Sequence, residues 1–180
     1  SAEEEIEERL KRAIDRDEES VKRSAEEIKR LIEELKKSVD DSARELKELI
    51  ERLKKLKKDG VDKSVIDKVV RELTRRVEEL HERNRELLER VKETVERLHE
   101  ENRRTSDEIE ERVRELVREV DTKEIKDLLD RVKKEVERSK RKSAKLLKEL
   151  EDAIKEIEDR SRELLERARE ELKRVKDDKR

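Results

Sequence analysis

The apolar residues of this chain recur in steps of three and four residues, and charged residues fill most of the positions between them. This spacing places the apolar side chains on one face of an α-helix. In the middle of the chain, successive blocks of the pattern begin at Ile66, Asn84, Asn102 and Val120, which is an 18-residue period. Because 18 residues complete five turns of about 3.6 residues, and not the 3.5 of a supercoiling heptad, the pattern predicts straight or nearly straight helices.

Two short interruptions divide the pattern into three helices. Gly60, the only glycine, supplies the left-handed conformation that ends a helix, and Asp62 can cap the next one. Asp121 and Glu124 have the spacing of a capping box at the second interruption. The predicted helices cover about 2–58, 62–120 and 122–178. Because such short turns return the chain alongside itself, we expect a single all-α domain over 1–180: a straight antiparallel three-helix bundle, alone or packed into a larger oligomeric bundle.

The composition raises the alternative of disorder, since 60% of the residues are charged and only 29% are hydrophobic. Three features favour helices instead. The 53 basic and 55 acidic residues nearly cancel, to a net charge of −2, most residues are strong helix formers, and the apolar positions are periodic. The charges therefore form the solvated face, and Ala, Val, Ile and Leu form the seam between helices.

The same composition excludes several classes of protein. Without cysteine there is no disulfide framework and no thiolate chemistry. No apolar run is long enough to span a membrane, and no apolar signal segment follows the N-terminus, so we expect a soluble protein without membrane partners. The compartment in which it acts is not indicated.

Polar residues interrupt the apolar stripe at matched heights of the three predicted helices. Folding the chain at its two turns brings them into two layers. One comprises Ser20, Ser24, His99, Asn102, Ser139 and Ser143, and the other comprises Ser38, Ser42, His81, Asn84 and Ser161. Histidine and asparagine carry donors and acceptors, so they can link serine hydroxyls of different helices. We expect two buried hydrogen-bond networks that fix the helix register. The alternative is that these residues lie at the stripe margins and face water, an interpretation that applies more strongly to Asp17, Thr74, Thr94 and Thr105.

The sequence predicts no catalytic residues, no metal site, no cofactor and no small-molecule ligand. His81 and His99 would lie about 27 Å apart on one helix and cannot share a metal ion. A serine–histidine–aspartate triad needs an exposed cleft and an oxyanion hole, which long regular helices do not offer. Nucleic-acid binding is not expected either, since the basic run at 140–142 is short and no aromatic residue can stack on a base.

The 18-residue blocks, the restricted set of residue types and the matched polar layers together resemble computationally designed helical bundles with buried hydrogen-bond networks. The resemblance extends over the whole chain and implies a scaffold, a subunit of a homo- or hetero-oligomer, a cage that accepts a further helix, or a pH-responsive assembly.

The leading hypothesis is a non-enzymatic scaffold or interaction protein whose networks specify helix register or partner choice. A second hypothesis is a bundle that loosens or dissociates when His81 and His99 become protonated in mild acid. A third is a subunit or cage for a designed partner helix, and a homo-oligomer is a further possibility. The flanking apolar column at Leu31, Leu49 and Leu56, with Leu87 and its equivalents on the third helix, mildly favours association.

Overall fold

The computed structural model describes residues 2–119 and 122–178, and these form three long helices. Helix α1 is Ala2–Lys58, helix α2 is Lys63–Glu119, and helix α3 is Lys123–Asp177. The prediction of an all-α three-helix bundle is confirmed, and the predicted helix bounds agree to within a residue or so. Val120 and Asp121, which the sequence places at the second interruption, lie outside the described residues.

Gly60 ends α1 in the way the sequence predicts. Its φ of 79° lies in the left-handed region. The Gly60 N–H donates to the Lys57 carbonyl at 3.2 Å, and the Val61 N–H donates to the Leu56 carbonyl at 3.3 Å. These two bonds form a Schellman motif, which satisfies carbonyls that the end of a helix leaves without partners. The Asp62 carbonyl then accepts the first hydrogen bonds of α2.

The chain divides into two compact units, each of which takes one segment from every helix. Unit 1 comprises residues 1–30 and 92–152, and unit 2 comprises residues 31–91 and 153–180. The division therefore falls within helices and not at the turns. The expectation of a single domain over 1–180 stays a prediction.

Unit 1 has a compact apolar cluster supplied by all three helices. The members of the cluster are Leu10, Ile14, Ile109, Val113, Ile125, Leu129, Val132 and Val136. On its surface, the Lys140 ammonium of α3 contacts the Glu110 carboxylate of α2. The imidazole of His99 lies 2.8 Å from Glu151. Because earlier residues of α2 pair with later residues of α3, these two helices run antiparallel in unit 1.

Unit 2 has a larger apolar cluster of the same kind. Its buried members are Leu46, Ile50, Leu53, Ile66, Val70, Leu73, Val77, Leu80, Ala168, Leu172 and Val175. The ion pair Arg76–Glu45, at 2.9 Å, lies between α2 and α1. The ion pair Lys54–Glu171, at 3.4 Å, lies between α1 and α3.

The apolar stripe is almost completely buried within the described residues. Leu53 is 0% exposed and Leu129 is 1% exposed, whereas Val65 is the one large hydrophobic residue found exposed there, at 44%. Most of the flanking leucines are half-buried, including Leu31 and Leu49, whereas Leu128 is 4% exposed. Each leucine or isoleucine removed from water stabilises the fold by roughly 1.5–3 kcal/mol, so the stripe supplies the main stabilising term in a chain without aromatic residues.

The Gly60 turn generates a stability prediction. A methyl group at this position would meet no atom within 4 Å, so the strain in Gly60→Ala is conformational and not steric. We expect this variant to lose about 1 kcal/mol of unfolding free energy in chemical denaturation, because alanine is strained at positive φ. Gly60→Asn is the matched control and should lose less, since asparagine tolerates the left-handed region. An alanine variant as stable as the parent chain would contradict the assignment.

Candidate functional site

The most complete polar arrangement in the structure lies in unit 2, around Asn84. The Ser38 hydroxyl of α1 donates to Asn84 Oδ1 of α2 at 2.6 Å. Asn84 Nδ2 in turn donates to the Ser42 hydroxyl oxygen at 3.2 Å. Asn84 is 2% exposed and Ser42 is 3% exposed, so the bond between them is shielded from water, whereas Ser38 is half-buried. One asparagine thus uses both its acceptor and a donor to hold α1.

The local geometry of α1 explains this arrangement. Ser38 and Ser42 are four residues apart, so their side chains share one face of the helix. The Ser42 hydroxyl donates back to the Ser38 carbonyl at 2.8 Å, as serine often does inside helices. This bond leaves the Ser42 oxygen free to accept from Asn84.

His81 and Ser161, the other two residues predicted for this layer, lie beside the Asn84 triad. Both line a small cavity together with Ser42 and Asn84. Ser161 is buried and His81 is half-buried. His81 Nδ1 is inaccessible to solvent and has no hydrogen-bond partner in the described part of the chain. The structure therefore brings all five residues together, and the side-chain hydrogen bonds found among them in the described part of the chain join α1 and α2.

The layer predicted in unit 1 is less regular. Ser139 and Ser143 of α3 are buried, Ser24 and Asn102 are half-buried, and Ser20 is exposed. Asn102 Oδ1 and Ser139 Oγ are inaccessible to solvent and have no hydrogen-bond partner among the described residues. Within residues 2–119 and 122–178, no hydrogen bond joins the six predicted members, which also include His99. Their role as a network stays a prediction.

The burial expected for Ser20 and His99 is not what the structure shows. Each residue directly adjoins a stripe position, Val21 and Leu98 respectively, and one residue turns a helix by about 100°. Both side chains therefore lie at the edge of the seam, where the neighbouring helices decide whether they are covered. His99 instead lies 2.8 Å from the exposed Glu151 carboxylate.

Asp17 and Ser106 are two buried polar residues that were not predicted to belong to a network. They are 8% and 4% exposed, and Ser139 is 5% exposed. Each lies three residues from a member of the unit 1 apolar cluster, namely Ile14, Ile109 and Val136. Because α2 runs opposite to its neighbours, all three steps point the same way along the unit. Asp17, Ser106 and Ser139 therefore lie beyond the same end of this apolar cluster, and their places in the apolar stripe indicate their burial.

Burial raises the pKa of the Asp17 carboxyl, and the adjacent Glu18 carboxylate raises it further. Desolvation disfavours the charged form of an acid, so ionised Asp17 is a cost to the folded state. Asp17 is thus the one described residue in the stripe whose charge opposes folding.

The exposed faces carry ion pairs that repeat with the same 18-residue period. Arg85 donates to Glu82 at 2.9 Å and 2.6 Å, and Arg103 donates to Glu100 at 2.9 Å. Hydrogen bonds from these arginines lower the pKa of both glutamates. Exposed pairs contribute little to stability, so they support individual helices and do not set the fold.

The remaining chemistry of the surface is limited. The residues described contain no group of three or more His, Cys, Asp or Glu side chains placed to hold a metal ion. None of the helices, as far as they are described, is long and apolar enough to cross a membrane. A groove of about 500 Å³ in unit 1 is lined by polar and charged side chains that include His99, Asn102 and Lys140.

Comparisons with known proteins agree with this architecture. The chain is similar to a solved structure described as a computationally designed three helix bundle, with a TM-score of 0.53 and 22% sequence identity. The match covers 97% of this chain and 84% of that chain. No protein-family model and no curated protein matches the sequence. The structural likeness establishes the three-helix fold.

The buried Asp17 carboxyl generates a prediction with a defined sign. Its pKa is raised in the fold, so its favourable contribution is present at low pH and is lost as pH rises through the folded value. Asp17→Asn should therefore increase the unfolding free energy at pH 7, by on the order of 1 kcal/mol, and the gain should vanish in acid. The measurement is urea denaturation at pH 7 and pH 3.

Asp15→Asn is the control for this experiment, because Asp15 is exposed on the same turn of α1. It should change stability little at either pH. A loss of stability in Asp17→Asn at pH 7 would mean that the carboxylate makes a favourable contact.

Proposed function

We propose that this protein is a non-enzymatic designed scaffold in which buried polar layers set the register of the helices. The observation that carries this proposal is the Ser38–Asn84–Ser42 triad, in which one buried amide is hydrogen-bonded to two hydroxyls of the neighbouring helix. The 18-residue repeat, the restricted set of residue types and the fold shared with a designed bundle support it.

A buried triad of this kind discriminates between registers because its polar groups lose their hydrogen-bond partners, at a cost in free energy, when the helices are misaligned. An apolar stripe of Val, Leu and Ile packs comparably well after a shift of about two helical turns. Such a shift leaves the Asn84 amide and the Ser42 hydroxyl buried without partners, at about 1–3 kcal/mol for each group. Specificity then comes from the penalty against alternatives and not from the strength of the hydrogen bonds themselves.

The burial of the apolar stripe favours a self-contained scaffold over an obligate subunit. With Val65 as the one large hydrophobic residue found exposed in the described part of the chain, little apolar surface is available to a second copy or a further helix. The proposal therefore includes a monomer that binds neither nucleic acid nor a small-molecule substrate. Light scattering over a concentration series tests it, and a mass that rises with concentration would contradict it.

Asn84 and Asn102 offer a matched pair of variants, since they occupy equivalent positions in successive copies of the 18-residue repeat. Asn84→Ala leaves the hydroxyls of Ser38 and Ser42 without their amide partner, so we expect a loss of about 2 kcal/mol in denaturation experiments. Asn102→Ala should cost less, because Asn102 is half-buried and its Oδ1 has no partner among the described residues. Equal losses would show that the triad has no special role.

A variant in which the triad is replaced by apolar side chains tests register directly. We expect the combination Ser38→Ala, Ser42→Ala and Asn84→Leu to remain folded but to populate more than one helix register. The measurement is the number of backbone amide signals in two-dimensional NMR spectra. One set of signals, with the original inter-helix contacts, would contradict the proposed function.

A pH-responsive bundle is a second candidate, and one observation favours it. His81 Nδ1 is buried without a partner in the described chain, so protonation would place a proton and a positive charge beside the Asn84 triad. His99 differs, because it is exposed and its imidazolium would pair with Glu151. Acid should therefore act through His81 and not through His99.

Circular dichroism of thermal unfolding at pH 7 and pH 4.5 tests this candidate. We expect the parent chain to lose stability in acid, His81→Asn to lose clearly less, and His99→Asn to behave like the parent. An acid response that survives in His81→Asn would assign it to carboxylates instead.

A further inference from the structure

We infer that unit 2 binds one water molecule in the cavity between Ser42, His81, Asn84 and Ser161, and that this water joins α3 to the Asn84 triad. The site itself follows from the geometry of the cavity. Its importance for helix register rests on the proposed function.

The size of the cavity selects the ligand. Its volume is about 10 Å³, which is the room that a single water molecule requires. Five apolar residues, Leu46, Val77, Leu80, Leu164 and Leu165, form the rest of its lining. The small volume leaves no space for a larger molecule.

The polar groups around the cavity have the unused capacity that a water molecule would satisfy. His81 Nδ1 has no hydrogen-bond partner in the described chain and, in the neutral tautomer protonated at Nε2, accepts one hydrogen bond. The Asn84 amide has two N–H donors, of which one is directed to Ser42. The Ser42 hydroxyl donates to the Ser38 carbonyl, and its oxygen retains one further acceptor position.

Ser161 supplies the connection to the third helix. It is 9% exposed, and its hydroxyl can both donate and accept. A water that donates to His81 Nδ1 and accepts from Ser161 satisfies the buried imidazole nitrogen. It also extends the hydrogen bonding from two helices to three. Buried waters commonly make about three such bonds, which this set of groups provides.

Unit 1 offers an internal comparison. Asn102, the counterpart of Asn84, lines a groove of about 500 Å³ and not a small cavity. Water at Asn102 should therefore exchange rapidly with solvent, whereas the water in unit 2 should be retained long enough to be observed individually.

The first experiment is a high-resolution crystal structure of the full chain, together with water–protein NOE spectra in solution. We expect one ordered water within about 2.7–3.2 Å of His81 Nδ1 and of the Ser161 hydroxyl. We also expect an NOE of the sign typical of a long-lived water at residues around the cavity. A dry cavity in the crystal, with no such NOE, would overturn the inference.

Ser161→Val provides the matched variant, because its two methyl groups fill the space and remove the hydroxyl. We expect the water NOE to disappear and the ¹⁵N shift of His81 Nδ1 to change, while the Ser38–Asn84–Ser42 bonds remain. An unchanged water signal in this variant would place the water elsewhere and overturn the assignment.

The outcomes also separate this inference from the proposed function. If the water is present but the apolar triad variant keeps one register, the water site stands and the register function fails. If the cavity is dry but that variant loses its register, the function stands without the water.

Discussion

Removal of the apolar stripe from water is the interaction on which every other feature of this protein depends. The chain has no aromatic residue, so each buried side chain is a modest aliphatic one, and stability has to come from many of them in regular order. Long helices provide that order, because the 18-residue repeat closes after five whole turns and so keeps one face of each helix turned inward. Of the charged residues described, Asp17 alone is buried in the stripe, and the others serve the solvated face. A core of interchangeable aliphatic residues has one weakness, which is that it does not by itself distinguish one register from the next.

The polar layers of the two units differ. In unit 2, a buried asparagine is hydrogen-bonded to two serines of α1. In unit 1, the corresponding asparagine is half-buried beside an open groove, and a buried carboxyl with a raised pKa lies at a neighbouring level. The same residue types therefore produce a satisfied arrangement in one unit and an incompletely satisfied one in the other. The difference lies in burial and in the completeness of hydrogen bonding, since the sequence repeat is common to both.

The fold was predictable from the sequence because its determinants are local and periodic. Gly60, the three-and-four spacing and the short turns specify helix ends and direction without knowledge of any distant contact. The candidate site was predictable in part. Positions within the stripe, such as Asn84 and Ser143, are buried as expected, whereas Ser20 and His99 adjoin the stripe and are exposed. Matching of heights along the helices reports neither the angle at which a side chain leaves the helix nor the side chains that the other helices place beside it. His99 is exposed although His81, at the same angle, is half-buried. Asp17 is the converse case. It is charged and was expected to face water, but it occupies a stripe position and is buried.

The contrast between His81 and His99 shows how strongly the neighbouring helices determine the surroundings of a side chain. The two residues belong to near-identical segments in successive copies of the 18-residue repeat, so their local sequence gives them the same angular position. His81 nevertheless has an inaccessible Nδ1 beside a hydrogen-bonded triad, and His99 has an exposed carboxylate as its partner. The neighbours contributed by the other helices cause the difference. In unit 2, Leu164 and Leu165 lie around the cavity beside His81, whereas Lys140 and Ala144 border the open groove beside His99. A titratable residue in a repeated scaffold thus acquires its role from the helix packed against it, which is why substitutions on α3 should alter the behaviour of a histidine on α2.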